Sequence, residues 1–395
     1  MTFLAIVLAL LSVPVLAACG YLGLLTILSR RGPLPLPLAP HLRFDIVVPA
    51  HDESNGIGAT VASLLAVDYP RDLVRVVVVA DNCTDDTADK ARRAGAIVIV
   101  RDDRTQIGKG YALALAFDEL ARGPADAIVV VDADTLVSPK LLSAFSARLD
   151  AGAVAVQANY MVRNTTKSWR TRLVAIAFAM FHELRSVARE RLGVSCGLRG
   201  NGMCFTKALV REVPYRAFSV VEDVEYGIEL GEAGHAVHFA REARVYGEVA
   251  PTERTLRAQR ARWEGGRSRL ARAFVPRLLA RAWRDRSLVC FDLALDLLVP
   301  PIAILFAVIA LGLGASVGAS LAMHHATVAL WLWGACAASL AAYGLRGWQL
   351  SGTGARGLLD LCWVPVFVIW KLTLRLRRSW RATEWIRSTR ENEAP

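Results

Sequence analysis

Two aspartates one residue apart, in Asp132-Ala133-Asp134, follow directly on the apolar run Ile128-Val129-Val130-Val131. Carboxylates so spaced at the end of a buried strand can hold a hard divalent cation through oxygen. Mg²⁺ or Mn²⁺ held there can bridge to a diphosphate and stabilise the charge that develops as a nucleotide leaves. Acidic turns are common, so the pair gains its weight from standing after a fourth parallel strand. A second acidic group, Val220-Val221-Glu222-Asp223-Val224-Glu225, opens a helical stretch that runs to about Gly231. Two readings of it stay open. Acids in a first turn are favoured by the helix dipole and need no other purpose. Alternatively Asp223, with Glu222 beside it, is a general base that takes the proton of an attacking hydroxyl, which requires a carboxylate within about 3 Å of that oxygen.

Further polar clusters stand at the ends of other apolar runs. Pro49-Ala50-His51-Asp52-Glu53 and Asp81-Asn82-Cys83-Thr84-Asp85-Asp86 offer carboxylates that can accept hydrogen bonds from a uracil imide N–H or from ribose hydroxyls, which a cationic pocket could not do. Glu53 and Asp81 lie nearest the strand ends and are the better candidates, with Pro49 and His51 on the same donor side. Thr84, Asp85 and Asp86 read more simply as turn and cap residues. Lys109, in Gly108-Lys109-Gly110 at a helix start, is placed either to neutralise phosphate or to be solvated. Gly197-Leu198-Arg199-Gly200-Asn201-Gly202-Met203 carries glycines that allow close backbone approach to a ligand, with Gly200, Asn201 and Gly202 as acceptor-side candidates. A plain loop is the alternative. On a basic helical stretch, Gln259-Arg260-Ala261-Arg262-Trp263 puts Gln259 on one face with Arg262 or Trp263, so a guanidinium and an indole can meet one ligand. An interfacial helix with an aromatic anchor and snorkelling arginines explains the same residues equally well.

These residues must be positioned by an alternation of strand and helix. Phe44 to Pro49, Arg75 to Ala80, Ile97 to Val100 and Ala127 to Val131 read as strands. Between them, helical periodicity covers Asn55 to Val67 behind a Ser54 cap, Asp85 to Ala94 behind a Thr84 cap, and Gly108 to Ala121. The fold class is α/β, a mainly parallel, doubly wound sheet whose ligands sit at the carboxyl ends of strands. Past Asp150 the alternation fades. Ala153 to Met161 reads as a strand and Trp169 to Arg191 as one long amphipathic helix, with Ile176, Phe178, Met180 and Phe181 as core.

Part of the 395-residue chain must meet lipid, because 54% of it is apolar. Thr2 to Leu28 is uncharged and long enough to cross a hydrocarbon core of about 30 Å. A cleaved signal peptide is the rival reading, but the run lacks a basic start, is too long, and is followed by Arg30 and Arg31. Leu293 to Leu321 and Thr327 to Leu345 read as a spanning hairpin joined at Met323-His324-His325. Gly357 to Trp370, with Asp360, Pro365 and arginines at both ends, reads as an interfacial or re-entrant helix. Three crossings follow, with the N-terminus outside. The expected domains are a transmembrane helix at 1–29, a proline linker at 30–43, a cytoplasmic catalytic domain at 44–250, basic interfacial helices at 251–292, the hairpin at 293–345 and the basic tail at 346–395. The net charge of +11 is concentrated beside apolar segments, which points to anionic lipid and away from nucleic acid. Seven scattered cysteines without a CxxC pair suggest neither a disulfide framework nor a zinc site, and so a reducing compartment.

Taken in order from Phe44 to Arg267, the clusters Pro49 to Glu53, Asp81, Asp132-Ala133-Asp134, Glu222-Asp223 and Gln259 to Trp263 resemble the membrane-bound family 2 glycosyltransferases. That group, with the GT-A fold, contains cellulose, chitin and hyaluronan synthases and ceramide glucosyltransferases. The resemblance implies that Asp81 contacts uridine, Asp134 leads metal binding with Asp132, Asp223 is the base, and Gln259, Arg262 and Trp263 bind diphosphate and acceptor. It also implies inversion by direct displacement, with UDP-sugar as donor. Asp52 stands where the family more often has Asn, and Val221 where synthases commonly carry Thr; neither removes a carboxylate. The Gln-x-x-Arg-Trp pattern occurs in processive and in single-addition enzymes alike. Three crossings offer little material for a polar path through lipid, so addition to a lipid-linked or glycolipid acceptor, in exopolysaccharide or glycolipid assembly at a bacterial-type cytoplasmic membrane, is preferred to a processive synthase. A membrane-tethered scaffold or a nucleotidyltransferase would release no UDP from a UDP-sugar. The latter would also want a basic glycine-rich loop where His51-Asp52-Glu53 stands. Donor sugar, acceptor, linkage and oligomeric state are not encoded in these motifs.

Overall fold

The computed structural model describes residues 2–248, 253–325 and 327–376; the side chains of residues 2, 253–264 and 374–376 lie outside the description. Along the chain, α1 (Thr2–Leu28) precedes β1 (Phe44–Ala50), α2 (Ile57–Leu65), β2 (Val74–Asp81), α3 (Thr87–Arg93), β3 (Ile97–Arg101), α4 (Lys109–Leu120) and β4 (Ala127–Val130). There follow β5 (Leu136–Val137), α5 (Leu141–Asp150), β6 (Ala155–Val162), α6 (Trp169–Phe178), a π-helical turn at Ala179–Leu184 and α7 (Arg185–Arg191). Next come β7 (Met203–Thr206), α8 (Lys207–Glu212), α9 (Glu222–Glu232) and β8 (Val237–Gly247). The remainder is helical: α10 (Glu253–Arg284), α11 (Leu288–Leu298), α12 (Ile302–Ala322), α13 (Val328–Ser351), α14 (Gly354–Asp360) and α15 (Val364–Leu376).

The chain divides into two compact units. The first to be described, residues 31–164 and 189–294, is built on an eight-stranded sheet of order β3-β2-β1-β4-β7-β6-β8-β5. Strands covered on both faces are rich in valine and isoleucine, and β1, β2 and β4 are mostly apolar and nearly all buried, with Asp45 of β1 paired to Arg75 of β2 at 2.6 Å. β3, β2, β1 and β4 lie parallel, with Ile46 opposite Val76 and Val129. β7 then runs antiparallel between β4 and β6, and β5 antiparallel to β8, while β6 and β8 are parallel. The sheet is therefore α/β and mainly parallel as expected, but mixed in its second half. Phe44, Ile46 and Val48 from β1 pack with Ile57, Val61 and Leu64 of α2 and with Leu141 and Phe145 of α5.

Helix starts differ from the sequence reading. α2 begins behind Gly56 and not Ser54, because the Glu53 carbonyl accepts the N–H groups of both Gly56 and Ile57 and closes a turn first. α3 begins at Thr87, whose N–H and hydroxyl donate to Asp85, while the Thr84 N–H is drawn to Asp52. The stretch from Trp169 is not one α-helix; its middle turn, Ala179–Leu184, is π-helical.

The other unit comprises residues 1–30, 165–188 and 295–381. Within it α1, α12 and α13 are long and apolar enough to cross a membrane. α12 starts at Ile302 rather than near Leu293, since Pro300 and Pro301 break the helix before it. α13 continues past Leu345 to Ser351 and stops where Gly352 turns left-handed, at φ 69°. The Trp333 indole donates to the Leu8 carbonyl at 3.0 Å and the Ser339 hydroxyl to the Cys19 carbonyl at 2.7 Å, tying α13 to α1. Arg185 is buried against Asp296 at 2.9 Å and Tyr343 at 2.9 Å, and Tyr343 caps the Met180 carbonyl of the π-turn. Asp360, at the end of α14, is paired with Arg172 of α6. Pro365 falls in the first turn of α15, where its missing N–H costs no helix bond.

Candidate active site

The ends of β1 and β2 are laced together. A His51 ring nitrogen lies 2.7 Å from the Asp81 carbonyl, the Thr84 N–H donates to Asp52 Oδ1 at 2.6 Å, and the Glu53 N–H to the Thr87 hydroxyl at 2.8 Å. Asp52 and Asn82 both turn left-handed, at φ 52° and 51°, a conformation that Asp and Asn tolerate better than other side chains. Pro49 sits within β1 opposite Val79. Asp81 is buried at the end of β2, and its Oδ1 accepts from Arg101 Nη1 at 2.7 Å and from Asn82 at 3.0 Å. Burial raises its pKa, with Arg101 pulling against it. Arg101 also lies over the Tyr111 ring, which stacks on Phe218 with centroids 4.5 Å apart.

The charged centre forms where β4 ends and α4 and α9 begin. Lys109, in the first turn of α4, places its ammonium 2.6 Å from Asp132 Oδ1, 2.5 Å from the Gly200 carbonyl and 3.5 Å from Glu222. Burial works against its charge, but Asp132 and Glu222 outweigh that and hold it above the ordinary lysine range. Glu222 and Asp223 occupy the first turn of α9. Burial lifts Glu222 to about 7, with Lys109 opposing and Asp223 adding to the rise. Asp223 is likewise raised by burial against the pull of Lys109. A Cβ on Gly200, which is left-handed at φ 78°, would stand 3.2 Å from Asp223 Oδ2, so glycine lets the loop come this close. Asn201 is buried; its side chain accepts the Asp132 N–H at 3.1 Å and donates to the Thr135 hydroxyl at 2.7 Å. Gly202 is packed against Ala158 and Val245, where a side chain would collide.

Asp134 is exposed next to the buried Ala133, and the phenol of Tyr160 is held protonated by burial and by the charges of Asp134 and Asp132. Both acids therefore act on one region and offer only oxygen, a donor set that fits Mg²⁺ or Mn²⁺. Asp52, Cys83 and Asp85 also lie together, but Thr84 and Thr87 already engage those two carboxylates.

The structure thus brings Lys109, Asp132, Gly200, Glu222 and Asp223 together, with Asn201 supporting Asp132, and places Asp81 with His51 at the β2 end. The side chains of Gln259, Arg262 and Trp263 lie outside the described residues. Farther along the same helix, Gly266 meets Val221, just before Glu222, so closely that a Cβ would crowd it. Sequence reasoning missed Arg101 and Gln157, whose contacts tie the site together. An arginine closing a strand before an acidic turn was a faint signal for the first.

A parallel-into-mixed sheet with acids gathered at its strand ends is the GT-A architecture of nucleotide-sugar glycosyltransferases. The sequence profile of "Glycosyltransferase like family 2" matches residues 40–266, and the chain belongs to that family. It is 24% identical over 262 residues to the "Probable glycosyltransferase YdaM" of Bacillus subtilis, covering 64% of this chain and 60% of that protein. An "N-acetylglucosaminyltransferase" of Azorhizobium caulinodans is 30% identical over 165 residues, 40% of each chain. The chain thus spans about two-fifths to three-fifths of these curated relatives. The mannosyltransferase PcManGT of Pyrobaculum calidifontis, solved with GDP-Man and Mn²⁺, has a similar fold, with a TM-score of 0.54 and 20% identity over 87% of this chain and 97% of that one.

Proposed function

We propose that the chain is an inverting, divalent-metal-dependent transferase that moves a hexose from a UDP-sugar to a lipid-linked or glycolipid acceptor at the cytoplasmic face of a membrane, in exopolysaccharide or glycolipid assembly. The observation that carries this is the meeting of Lys109 and Asp132 with Glu222 and Asp223 across the Gly200 carbonyl. One end of that cluster suits a leaving diphosphate and the other an incoming alcohol.

When bound by Asp132 and Asp134, the metal supplies Lewis-acid stabilisation of the departing diphosphate. Lys109 is a fixed cation of the site, and its ammonium can follow phosphate charge as it grows. Asp223, raised by burial, is a stronger base than a solvated aspartate and takes the acceptor hydroxyl's proton at a carboxylate oxygen. Attack on the face opposite the leaving group then inverts the anomeric carbon. Asp81 supports uracil as the base: Arg101 and Asn82 both use Oδ1, so Oδ2 suits the single imide N–H of uracil better than the paired N–H donors of guanine. The name of the Azorhizobium relative puts N-acetylglucosamine first among the sugars to test. The three apolar helices among the described residues give little material for a polymer channel, which supports one or few additions.

The test is UDP release from a panel of UDP-sugars by protein in detergent, with and without EDTA. Release that needs metal and rises with a lipid acceptor is expected. No release from any donor would remove the proposal, and long products without a lipid acceptor would replace it with a processive synthase.

A further inference from the structure

The geometry points to Gln157 as a positioning residue that sets the metal-holding Asp132 and the base Asp223 together, through the loop Arg199–Gly202. The inference rests on the roles proposed above for those two acids. Gln157 lies on β6 and is wholly buried. Its carboxamide is used at both ends. Oε1 accepts the Arg199 N–H at 2.9 Å, while Nε2 donates to the carbonyls of Asn201 at 2.7 Å and Ala158 at 2.9 Å, with the Gly202 carbonyl at 3.3 Å. One side chain therefore clamps the start and the end of the loop.

Between the clamped ends, successive loop residues reach different charged groups. Gly200 gives its carbonyl to Lys109 and its bare Cα to the approach of Asp223. Asn201 fixes the Asp132 N–H with one side-chain atom and Thr135 with the other, pinning the turn that follows β4. A shift of the loop would displace the supports of Asp132, Lys109 and Asp223 at once. A buried amide is costly to desolvate, and an apolar side chain would fill the space between Val156 and Ala158 without that cost. A fully bonded polar network compensates by specifying one geometry.

The test uses the full chain in detergent. Gln157→Met keeps length and removes both polar ends; Gln157→Glu keeps the acceptor and removes the donor. Mn²⁺ binding in the presence of UDP is read from the free-Mn²⁺ paramagnetic resonance signal, alongside kcat, donor KM and melting temperature. Both variants are expected to melt cooperatively, to bind Mn²⁺ about tenfold or more weakly, and to lose kcat while donor KM stays within about threefold. Asn201→Ala should reproduce the Mn²⁺ loss, and Gln157→Met with Asn201→Ala should be no worse than either alone. If Gln157→Met does not fold, Gln157→Glu carries the decision. Wild-type Mn²⁺ affinity in a folded variant, or fully additive losses in the double variant, would overturn the assignment. Wild-type protein that binds Mn²⁺ with UDP yet turns over no sugar nucleotide would sink the transferase reading, and the Mn²⁺ affinities of the variants alone would then decide whether Gln157 positions Asp132.

Discussion

Glu222 and Asp223 are neighbours in one helical turn that meet different surroundings. Glu222 faces Lys109 from a buried position and is lifted to about 7, with Asp223 adding to the rise, whereas Asp223 lies under the Gly200 loop and is raised by burial against the pull of both Lys109 and Arg199. A base works only when ionised, so activity should fall as pH drops through the raised range. The acid limb of kcat/KM is expected above the ordinary carboxylate range, because burial raises Asp223. Glu222→Gln removes a like charge beside Asp223 and should move that limb to lower pH; an unmoved limb would show that the two acids do not titrate together. Asp223→Asn should lower kcat by about 10²- to 10⁴-fold with UDP affinity unchanged. If the acids only cap α9, the same variant will lose little rate. At this scale type and spacing marked the acids as candidates, while the choice between capping α9 and serving as a base stayed open in the sequence. Gln157 could not, because one amide inside a strand has no partner at a fixed spacing in sequence; its partners come from a loop some forty residues on.

The elements show the same division. The parallel half of the sheet was legible because its strands are mainly apolar runs, interrupted near their starts only by the paired Asp45 and Arg75, with helices between them. β7 and β8 were not. β7 has only four residues directly after the glycine loop, and β8 alternates buried with half-exposed positions, so charged residues interrupt its apolar pattern. One contact of β8 can be tested by pH. His238 near its start is hydrogen-bonded to Glu190 at 2.9 Å at the end of α7, and that bond raises its pKa against the effect of burial. A pKa raised by folding gives stability that is fully present below the unfolded value, about 6.5, and is lost as pH rises through the folded one. His238→Gln should therefore lower the melting temperature more at pH 5.5 than at pH 8.5. The pair is partly exposed, so the difference should be small and shrink with salt. An equal loss at both pH values would mean the ion pair contributes nothing.

The helical unit supplies its own argument about orientation. Leu8 of α1 is bonded to Trp333 of α13, Cys19 to Ser339, and Ser29 to Arg346 at 2.9 Å. Contacts that advance in the same direction along both helices make α1 and α13 parallel, with α12 returning between them in sequence. Arg30, just past α1, and Arg346 and Arg356 near and beyond the end of α13 consequently belong to one end of this unit. The positive-inside rule predicts that end to be cytoplasmic and the turn after α12 to be external. A reporter fused after Pro395 should read as cytoplasmic, and a cysteine introduced at His325 should react with an impermeant thiol reagent in intact cells. Labelling at His325 only after lysis would reverse the orientation.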